Sequence, residues 1–285
     1  MTIQWFPGHM KETEQFLKKA VSNVDVVMEI LDARLPASSA NPLLDKICNT
    51  VLRIKVLNKS DLADPVITRL WIDYFKTIQR GSEVIAITGT DTADTWRAAD
   101  MALTGVKQSR SRRIRIMVAG IPNTGKSTIM NTLAGKKVAK TGNVPAITRY
   151  QQRTAIKNRI DIYDTPGILW PVLENLNGAY RLAASGAISD TAIDYNDVAL
   201  FTLKYLITRY PDALKERYLL SDSIDDNGGP LILETIGASR GCLRKGGVVD
   251  IQKASELLIR EFRSGKLGGI SLESPEDFLS ESLLK

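Results

Sequence analysis

A glycine-rich segment, residues 120–127, has the residue types and spacing that bind phosphate groups. Its sequence, GIPNTGKS, follows an apolar run and precedes a stretch with helical spacing, which is the context of the GxxxxGK[ST] loop. In such a loop glycines let backbone amides face the phosphates, and the helix start adds partial positive charge. Lys126 would reach the β and γ phosphates, and the Ser127 hydroxyl would bind Mg²⁺. The other candidate nucleotide contacts here are Gly120, Asn123, Thr124, Gly125 and Thr128.

Residues 58–61, NKSD, have the pattern NKxD and follow a second apolar run. Asp61 would accept hydrogen bonds from the guanine N1–H and exocyclic amine, and adenine has neither donor there. A site that buries such an acceptor rejects the analogue by roughly 10⁴-fold or more, because the carboxylate is left unpaired. Alone, Asn58, Lys59 and Asp61 could belong to a polar turn; with the phosphate loop they predict guanine recognition. Thr88, after a third apolar run, is a further candidate contact to the base.

Residues 164–167, DTPG, have the pattern DxxG. Asp164 would bind Mg²⁺ through water, and the Gly167 amide would contact the γ-phosphate. Thr148, between the phosphate loop and DTPG, is the candidate threonine that closes over Mg²⁺; an ordinary loop threonine is the alternative. Together the three patterns predict a protein that binds and hydrolyses GTP with Mg²⁺, in which Lys126, Thr148 and Gly167 act at the phosphates.

The order of these motifs along the chain is permuted, because NKSD precedes the phosphate loop. In most Ras-like GTPases the phosphate loop comes first. Such a permutation is physically allowed because the termini of a compact domain often lie close together. Its consequence is that DTPG ends the nucleotide-binding part and leads directly into the second part of the chain.

Alternating strands and helices must position the motifs. Strand-like apolar runs separated by helical stretches predict an α/β fold with a doubly wound, mostly parallel sheet and one antiparallel hairpin over 151–163. The strand-like runs are 24–31, 51–57, 83–87, 114–119 and 160–163. Beyond residue 170 the pattern becomes helical, with predicted helices over 194–209, 230–236 and 251–263. We therefore predict a permuted nucleotide-binding domain over 1–180 and a smaller helical domain over 181–285.

Composition limits the class of protein. The 285 residues carry a net charge of +6 and 44% hydrophobic residues, as in globular proteins that bury a core. No signal peptide or apolar run long enough for a membrane span is evident, so we expect a cytoplasmic protein without membrane contact, and a monomer. The two cysteines suggest neither disulfide nor metal site. The second part is net acidic, so the basic excess lies in the first part.

Several segments together resemble the ribosome biogenesis GTPase A family, over nearly the whole chain. They are FPGHM at 6–10, LDARLP at 31–36, NKSD, GIPNTGKST, DTPG, RGCLRKGG at 240–247 and RSGKLG at 263–268. The resemblance implies late maturation of the large ribosomal subunit, with a helical, RNA-contacting second domain. The chain departs from the family where VPAI at 144–147 replaces an expected Pro-Gly pair, and in its acidic second part.

Two further residues take candidate roles with this resemblance. Ras-like enzymes orient the attacking water with a glutamine after DxxG, but Ile168 occupies that position and cannot form such a hydrogen bond. His9 is the single histidine; a structural turn histidine is one interpretation, and the resemblance implies that it orients the water instead. Asn123 resembles the asparagine that holds K⁺ in potassium-activated GTPases, with an uninvolved loop asparagine as the alternative.

The partners expected are GTP and GDP, the large-subunit precursor and its rRNA. We expect the rRNA to be recognised through its backbone charge and shape, because no RNA-binding signature is evident. Two basic clusters are candidates, although such runs are also common on solvated faces. They are Lys107, Arg110, Arg112, Arg113 and Arg115, and Arg240, Arg244, Lys245, Lys253, Arg260 and Arg263. The alternative functions are a GTP-gated, protein-recruiting switch with incidental hydrolysis, or an RNA-modifying enzyme, for which no catalytic motif is found.

Overall fold

The computed structural model describes residues 10–48, 51–78, 83–106, 113–139, 152–156, 160–165, 176–220 and 228–283, with the backbone alone for 10–13 and 152. Its described strands form one six-stranded sheet in the order β3-β2-β1-β4-β6-β5. Neighbouring strands from β3 to β6 pair in parallel, and β5 pairs with β6 in the antiparallel sense. The strands are β1 (Val26–Asp32), β2 (Leu52–Asn58), β3 (Glu83–Ile87), β4 (Ile114–Ala119), β5 (Gln152–Ile156) and β6 (Ile160–Asp164).

Helices cover both faces of the sheet. All seven residues of β1 are buried, as expected for a parallel strand with helices on either side. The helices of this nucleotide-binding part are α1 (Met10–Val21), α2 (Pro36–Ser39), α3 (Pro42–Ile47), α4 (Pro65–Ile78), α5 (Thr92–Gly105) and α6 (Lys126–Ala134). Helices α5 and α6 share one core with one face of the sheet. Helices α1, α3 and α4 contribute to two clusters with the strand residues whose side chains point to the other face. The predicted doubly wound fold is confirmed.

The carboxyl ends of the parallel strands meet at one edge of the sheet. Asp32 at the end of β1 lies opposite Asn58 at the end of β2, and Asn58 lies opposite Ile87 at the end of β3. On the other side of β1, Glu29 pairs with Ala119, directly before the phosphate loop. This edge is where open α/β sheets bind ligands, and all three sequence motifs lead out of it.

The remaining described elements are helical. They are α7 (Leu176–Ser185), α8 (Tyr195–Arg209), α9 (Pro211–Tyr218), α10 (Gly229–Ser239), α11 (Ile251–Arg263) and α12 (Pro275–Leu283). Asp194 and Asp250 cap α8 and α11 by accepting hydrogen bonds from their first backbone amides. We call residues 176–283 the helical part, and residues 264–274, between α11 and α12, the C-terminal strap.

The core of the helical part includes two residues from the nucleotide-binding part. Leu35, beside α2, and Ile121, in the phosphate loop, are fully buried in the same cluster as residues of α7, α8, α10 and α11. The predicted division after residue 180 falls within α7, and this division stays a prediction. Among the described helices, none combines the length and apolar character needed to cross a membrane.

Candidate functional site

Two glycines allow the backbone course of the phosphate loop. Gly120 has a φ of +152°, and a Cβ there would lie 2.4 Å from the Ile30 carbonyl oxygen of β1. Gly125 has a φ of +95° and caps α6, where a Cβ would lie 2.2 Å from Nδ2 of Asn58. Any side chain would therefore be strained at both positions. The loop leads directly into α6, and a phosphate-binding loop requires such a helix start.

Asn58 joins the phosphate loop to the loop after β3. Its Nδ2 donates to the Thr124 carbonyl at 2.7 Å, and its Oδ1 accepts from the Gly89 amide at 2.8 Å. The side chain is 2% exposed, so both hydrogen bonds are protected from water. Thr132 of α6 adds a hydrogen bond to the Gly89 carbonyl at 2.9 Å. One amide side chain thus fixes the distance between the candidate phosphate and base sites.

Lys126 is a buried cation at the start of α6. Its Nζ donates to the Ile121 carbonyl at 2.7 Å, and Thr124 donates to the same oxygen at 3.1 Å. Burial lowers the pKa of Lys126 to about 8, against an opposing effect of Asp164. A buried ammonium group, with one carbonyl acceptor among the residues that the structure describes, gains more from a phosphate than an exposed lysine would.

Asp164 lies at the end of β6, where it is 6% exposed. Burial raises its pKa, while the charge of Lys126 and the Thr165 amide counteract that rise. Thr165 is anchored beside it by a hydrogen bond from its hydroxyl to the Val118 carbonyl at 2.8 Å. A carboxylate here and the Ser127 hydroxyl in the first turn of α6 supply hard oxygen ligands, which suit Mg²⁺.

Thr148, Gly167 and Ile168 lie outside the described residues, as does His9.

The residues of the NKSD segment differ in exposure and in their contacts. Asp61 is exposed on the 3-10 turn Ser60–Leu62, whereas Lys59 adopts a left-handed backbone with a φ of +62°. The Lys59 ammonium donates to Oδ2 of Asp32 at 2.8 Å. Thr88 follows β3, and its hydroxyl lies 3.5 Å from that of Ser60. The candidate base-contacting residues therefore share the edge formed by the ends of β1, β2 and β3.

Sequence reasoning assigned no role to Asp32 and Arg34. Arg34 binds both carboxylate oxygens of Asp32, at 2.9 and 2.8 Å. Burial opposes ionisation of Asp32, but Arg34 and Lys59 outweigh it and hold the pKa of this carboxyl well below its usual range. The sequence signal for this pair was an acidic and a basic residue, Asp32 and Arg34, two positions apart at the end of a strand. Their connection to Lys59 is evident only from the structure.

Asn123 contacts the helical part. It has a φ of +61°, and its Nδ2 donates to the Gly186 carbonyl, just beyond α7, at 2.5 Å. This bond orients the side chain, and no hydrogen bond to its Oδ1 occurs among the described residues. An amide oxygen is a suitable ligand for an alkali cation, so the side chain fits the candidate K⁺ role chemically.

Arg263, which was predicted to belong to a basic RNA-contacting cluster, is engaged by neighbouring groups, and its side chain is 20% exposed. Its guanidinium donates to the Ala184 and Ala183 carbonyls at 3.0 and 2.9 Å and to Asp190 at 2.9 Å, so it is used to cap α7. Arg113 and Arg115 of the first cluster are likewise engaged, with Asp161 at 2.8 Å and Asp25 at 3.0 Å. Helical spacing predicted that Lys253, Arg260 and Arg263 lie on one side of the helix. In the structure the Arg263 side chain is instead engaged at the end of α7.

These features define a circularly permuted P-loop GTPase. The phosphate loop leads from the carboxyl edge of the sheet into α6, and the NKSD segment precedes it in the chain. The family described as "50S ribosome-binding GTPase" matches residues 115–232. Ribosome biogenesis GTPase A of Priestia megaterium is 42% identical over 97% of this chain and 98% of the relative. Its namesake from Thermotoga maritima is 33% identical over 96% of this chain and 95% of the relative. The chain belongs to the ribosome biogenesis GTPase A family.

Two solved structures share the fold. "GDP-bound structue of TM YlqF" has a TM-score of 0.67 and 28% identity, covering 92% of this chain and 100% of that chain. "Crystal structure of GNP-bound YlqF from T. maritima" has a TM-score of 0.65 and 28% identity, covering 93% of this chain and 99% of that chain. The predicted family, fold class and GTPase activity are thereby confirmed, and Mg²⁺ is the metal that such GTPases use with GTP.

Proposed function

We propose that this GTPase assists a late step in the assembly of the large ribosomal subunit, where it binds precursor particles and their rRNA. The observation that carries the proposal is the presence of all three nucleotide-binding motifs in a chain whose relatives, such as one matched over 97% of its length, are named for ribosome biogenesis. The description of the matching family, a 50S ribosome-binding GTPase, supports the large subunit as the target. We further propose that it acts as a monomer in the cytoplasm, where bacterial ribosomes are assembled.

In this proposal each site residue has a separate task. Lys126 contacts the β and γ phosphates, and Asp61 selects guanine. Ser127 and Asp164 would hold the Mg²⁺ ion, which would supply positive charge to neutralise the phosphates. The burial of Lys126 and Asp164 supports these roles, because interactions with a charged ligand are stronger away from water. Gly120, Thr124, Gly125 and Thr128 contact the phosphates, while Asn58, Lys59 and Thr88 hold the base site.

Three assignments rest on the sequence and the family resemblance, since their residues lie outside the described ranges. Thr148 closes over Mg²⁺, and the Gly167 amide contacts the γ-phosphate. His9 orients the attacking water, because Ile168 cannot. A histidine that positions one water typically contributes about 10²–10⁴-fold to the rate.

Asn123 is proposed to help hold K⁺ against the phosphates through Oδ1, with its Nδ2 anchored on Gly186 at 2.5 Å. A cation there would stabilise negative charge as the phosphoryl group is transferred. Replacing K⁺ with Na⁺ should slow hydrolysis in wild type and have much less effect in Asn123→Ala. Equal wild-type rates in the two salts would remove K⁺ from the mechanism.

The proposed rRNA contact consists of exposed cations on α11 and on the segment that precedes it. Arg244 and Lys253 both reach Asp250, at 3.2 and 4.0 Å, yet their side chains are 63% and 64% exposed. Arg260 is 69% exposed beside Glu256. Exposed ion pairs of this kind contribute little to stability, so these cations can exchange their partners for phosphates. Arg240 and Lys245 complete the proposed surface, and Arg263 is excluded.

The experiment that tests the proposal measures GTP turnover with and without purified large-subunit precursors. We expect stimulation by the particles, together with binding that weakens steeply as salt rises, because each phosphate contact releases counterions. Arg244→Gln with Arg260→Gln should reduce the salt dependence, whereas Arg97→Gln, on an exposed surface of α5, serves as the matched control. Binding that is insensitive to salt would favour the protein-recruiting switch instead.

A further inference from the structure

The guanine-recognition loop, residues 59–64, is held by the helical part at the end opposite Lys59. Asp64 ends this loop and directly precedes α4, where its Oδ1 accepts hydrogen bonds from the Val66 and Ile67 amides at 2.8 and 3.2 Å. Its other carboxylate oxygen accepts from the Tyr210 hydroxyl at 3.1 Å. Tyr210 lies between α8 and α9, so this bond joins the two parts of the chain.

Ser271 of the C-terminal strap closes the contact. Its hydroxyl oxygen accepts from the Asp64 amide at 3.2 Å, and its own amide donates to the Tyr210 hydroxyl at 3.3 Å. Ser271 is fully buried. Asp64, Tyr210 and Ser271 therefore form a closed ring of hydrogen bonds, in which the Tyr210 hydroxyl both donates and accepts.

The backbone of the strap follows the same loop. The Ile270 amide donates to the Leu62 carbonyl at 3.0 Å. A Cβ at Gly269 would lie 2.8 Å from the Ala63 carbonyl oxygen, so the two backbones approach too closely for a side chain. Because Asp61 directly precedes Leu62, the strap contacts the loop immediately beside the residue that selects guanine.

The Lys59 end of the loop is also linked to the helical part. Lys59 is held by Asp32, and Arg34 holds Asp32 while its guanidinium lies 4.8 Å from the centre of the Phe262 ring in α11. The Leu272 amide of the strap donates to the Arg34 carbonyl at 2.8 Å. The loop that carries Asp61 is thus fixed at both ends through residues that belong to, or contact, α11 and the strap.

We propose that Tyr210 and Ser271 are positioning residues for base recognition: they set the place of residues 59–64, so that the helical part determines how well Asp61 discriminates guanine. This inference rests on the proposed role of Asp61. A loop free to move by a fraction of an ångström makes poorer hydrogen bonds to the base, whose strength depends steeply on distance and angle. The phosphate contacts, which lie on α6 and its loop, should be unaffected.

The test compares the affinities of GDP and inosine diphosphate, which lacks the exocyclic amine, by calorimetry on the full chain. A hydrogen bond to a carboxylate should give wild type a preference for GDP of roughly 10- to 100-fold. Tyr210→Phe removes the hydroxyl alone and should lower that preference by about three- to tenfold. Ser271→Ala should lower it in the same direction, with most of the loss in the affinity for GDP.

Tyr205→Phe is the matched control, because Tyr205 is a half-buried tyrosine whose ring centre lies 6.5 Å from that of Tyr210. Its hydroxyl donates to Asp277 at 2.9 Å, away from the guanine-recognition loop. This variant should keep the wild-type preference even if it unfolds at a lower temperature. A structural role for Tyr210 would likewise lower the unfolding temperature and leave the preference unchanged, and that result overturns the inference.

Asp61→Asn separates failure of the inference from failure of the base assignment. If this variant keeps the wild-type preference for GDP over inosine diphosphate, Asp61 does not select the base and both proposals fall. If it loses the preference while Tyr210→Phe and Ser271→Ala keep it, the base assignment stands and the positioning role is wrong.

Discussion

Replacing Asn58 with alanine should weaken nucleotide binding strongly, although the substitution removes only a small side chain. The side chain makes two buried hydrogen bonds, to the Thr124 carbonyl at 2.7 Å and from the Gly89 amide at 2.8 Å. Alanine would leave both backbone groups without that partner, at a cost of about 1–2 kcal/mol each. If half of the resulting 2–4 kcal/mol is expressed as lost organisation of the nucleotide site, affinity for GDP falls by roughly 5- to 30-fold.

The assay is calorimetric titration of GDP, with thermal unfolding measured on the same samples. Asn131→Ala is the matched control, because Asn131 of α6 also clasps a loop, with its Nδ2 donating to the Ala139 carbonyl at 3.0 Å and its Oδ1 accepting from the Val138 amide at 2.8 Å. The control should lose comparable stability and keep its GDP affinity within about threefold, as expected for a site with no shared partners. Equal affinity losses in the two variants would refute the view that Asn58 organises the site specifically.

Three further outcomes follow from the assigned residues. Asp61→Asn should shift preference from GTP towards XTP in a competition assay, because xanthine has an oxygen where guanine has its amine; a wild type that binds ATP as well as GTP would contradict the assignment. Lys126→Ala should abolish hydrolysis and weaken GTP binding through loss of a charge-assisted contact, and near-normal turnover would exclude the phosphate-loop role. His9→Ala should lower particle-stimulated turnover by about 10²–10⁴-fold with nearly unchanged nucleotide affinity; full stimulation at saturating GTP would assign the water to another group.

The sheet was predictable because buried parallel strands are continuous apolar runs. The strands over 83–87 and 114–119 were predicted with their observed limits, and the helix over 251–263 was also correct because its apolar residues recur on one face. The helix predicted over 230–236 is longer in the structure, where it spans Gly229–Ser239. The periodicity of apolar residues was therefore sufficient to predict a helix or strand wherever that element buries one continuous face.

The links between distant segments were not predictable in the same way. The pairing of Lys59 with Asp32, and the use of Arg263 to cap α7, depend on which elements lie side by side. A charged residue has the same local pattern whether it faces solvent or a carbonyl group across a helix interface. The motifs could therefore name the residues of the candidate site, while the residues that hold those motifs in place required the structure.

The burial of Ile121 has a consequence for how the protein is made. This phosphate-loop residue is fully buried in a cluster that includes Leu258 and Phe262 of α11. During translation more than a hundred further residues must leave the ribosome before those partners can reach it. A nascent chain therefore holds the complete phosphate-binding sequence well before its surroundings are in place. The packing around Ile121 can therefore be completed only after α11 has been synthesised and has folded against the phosphate loop.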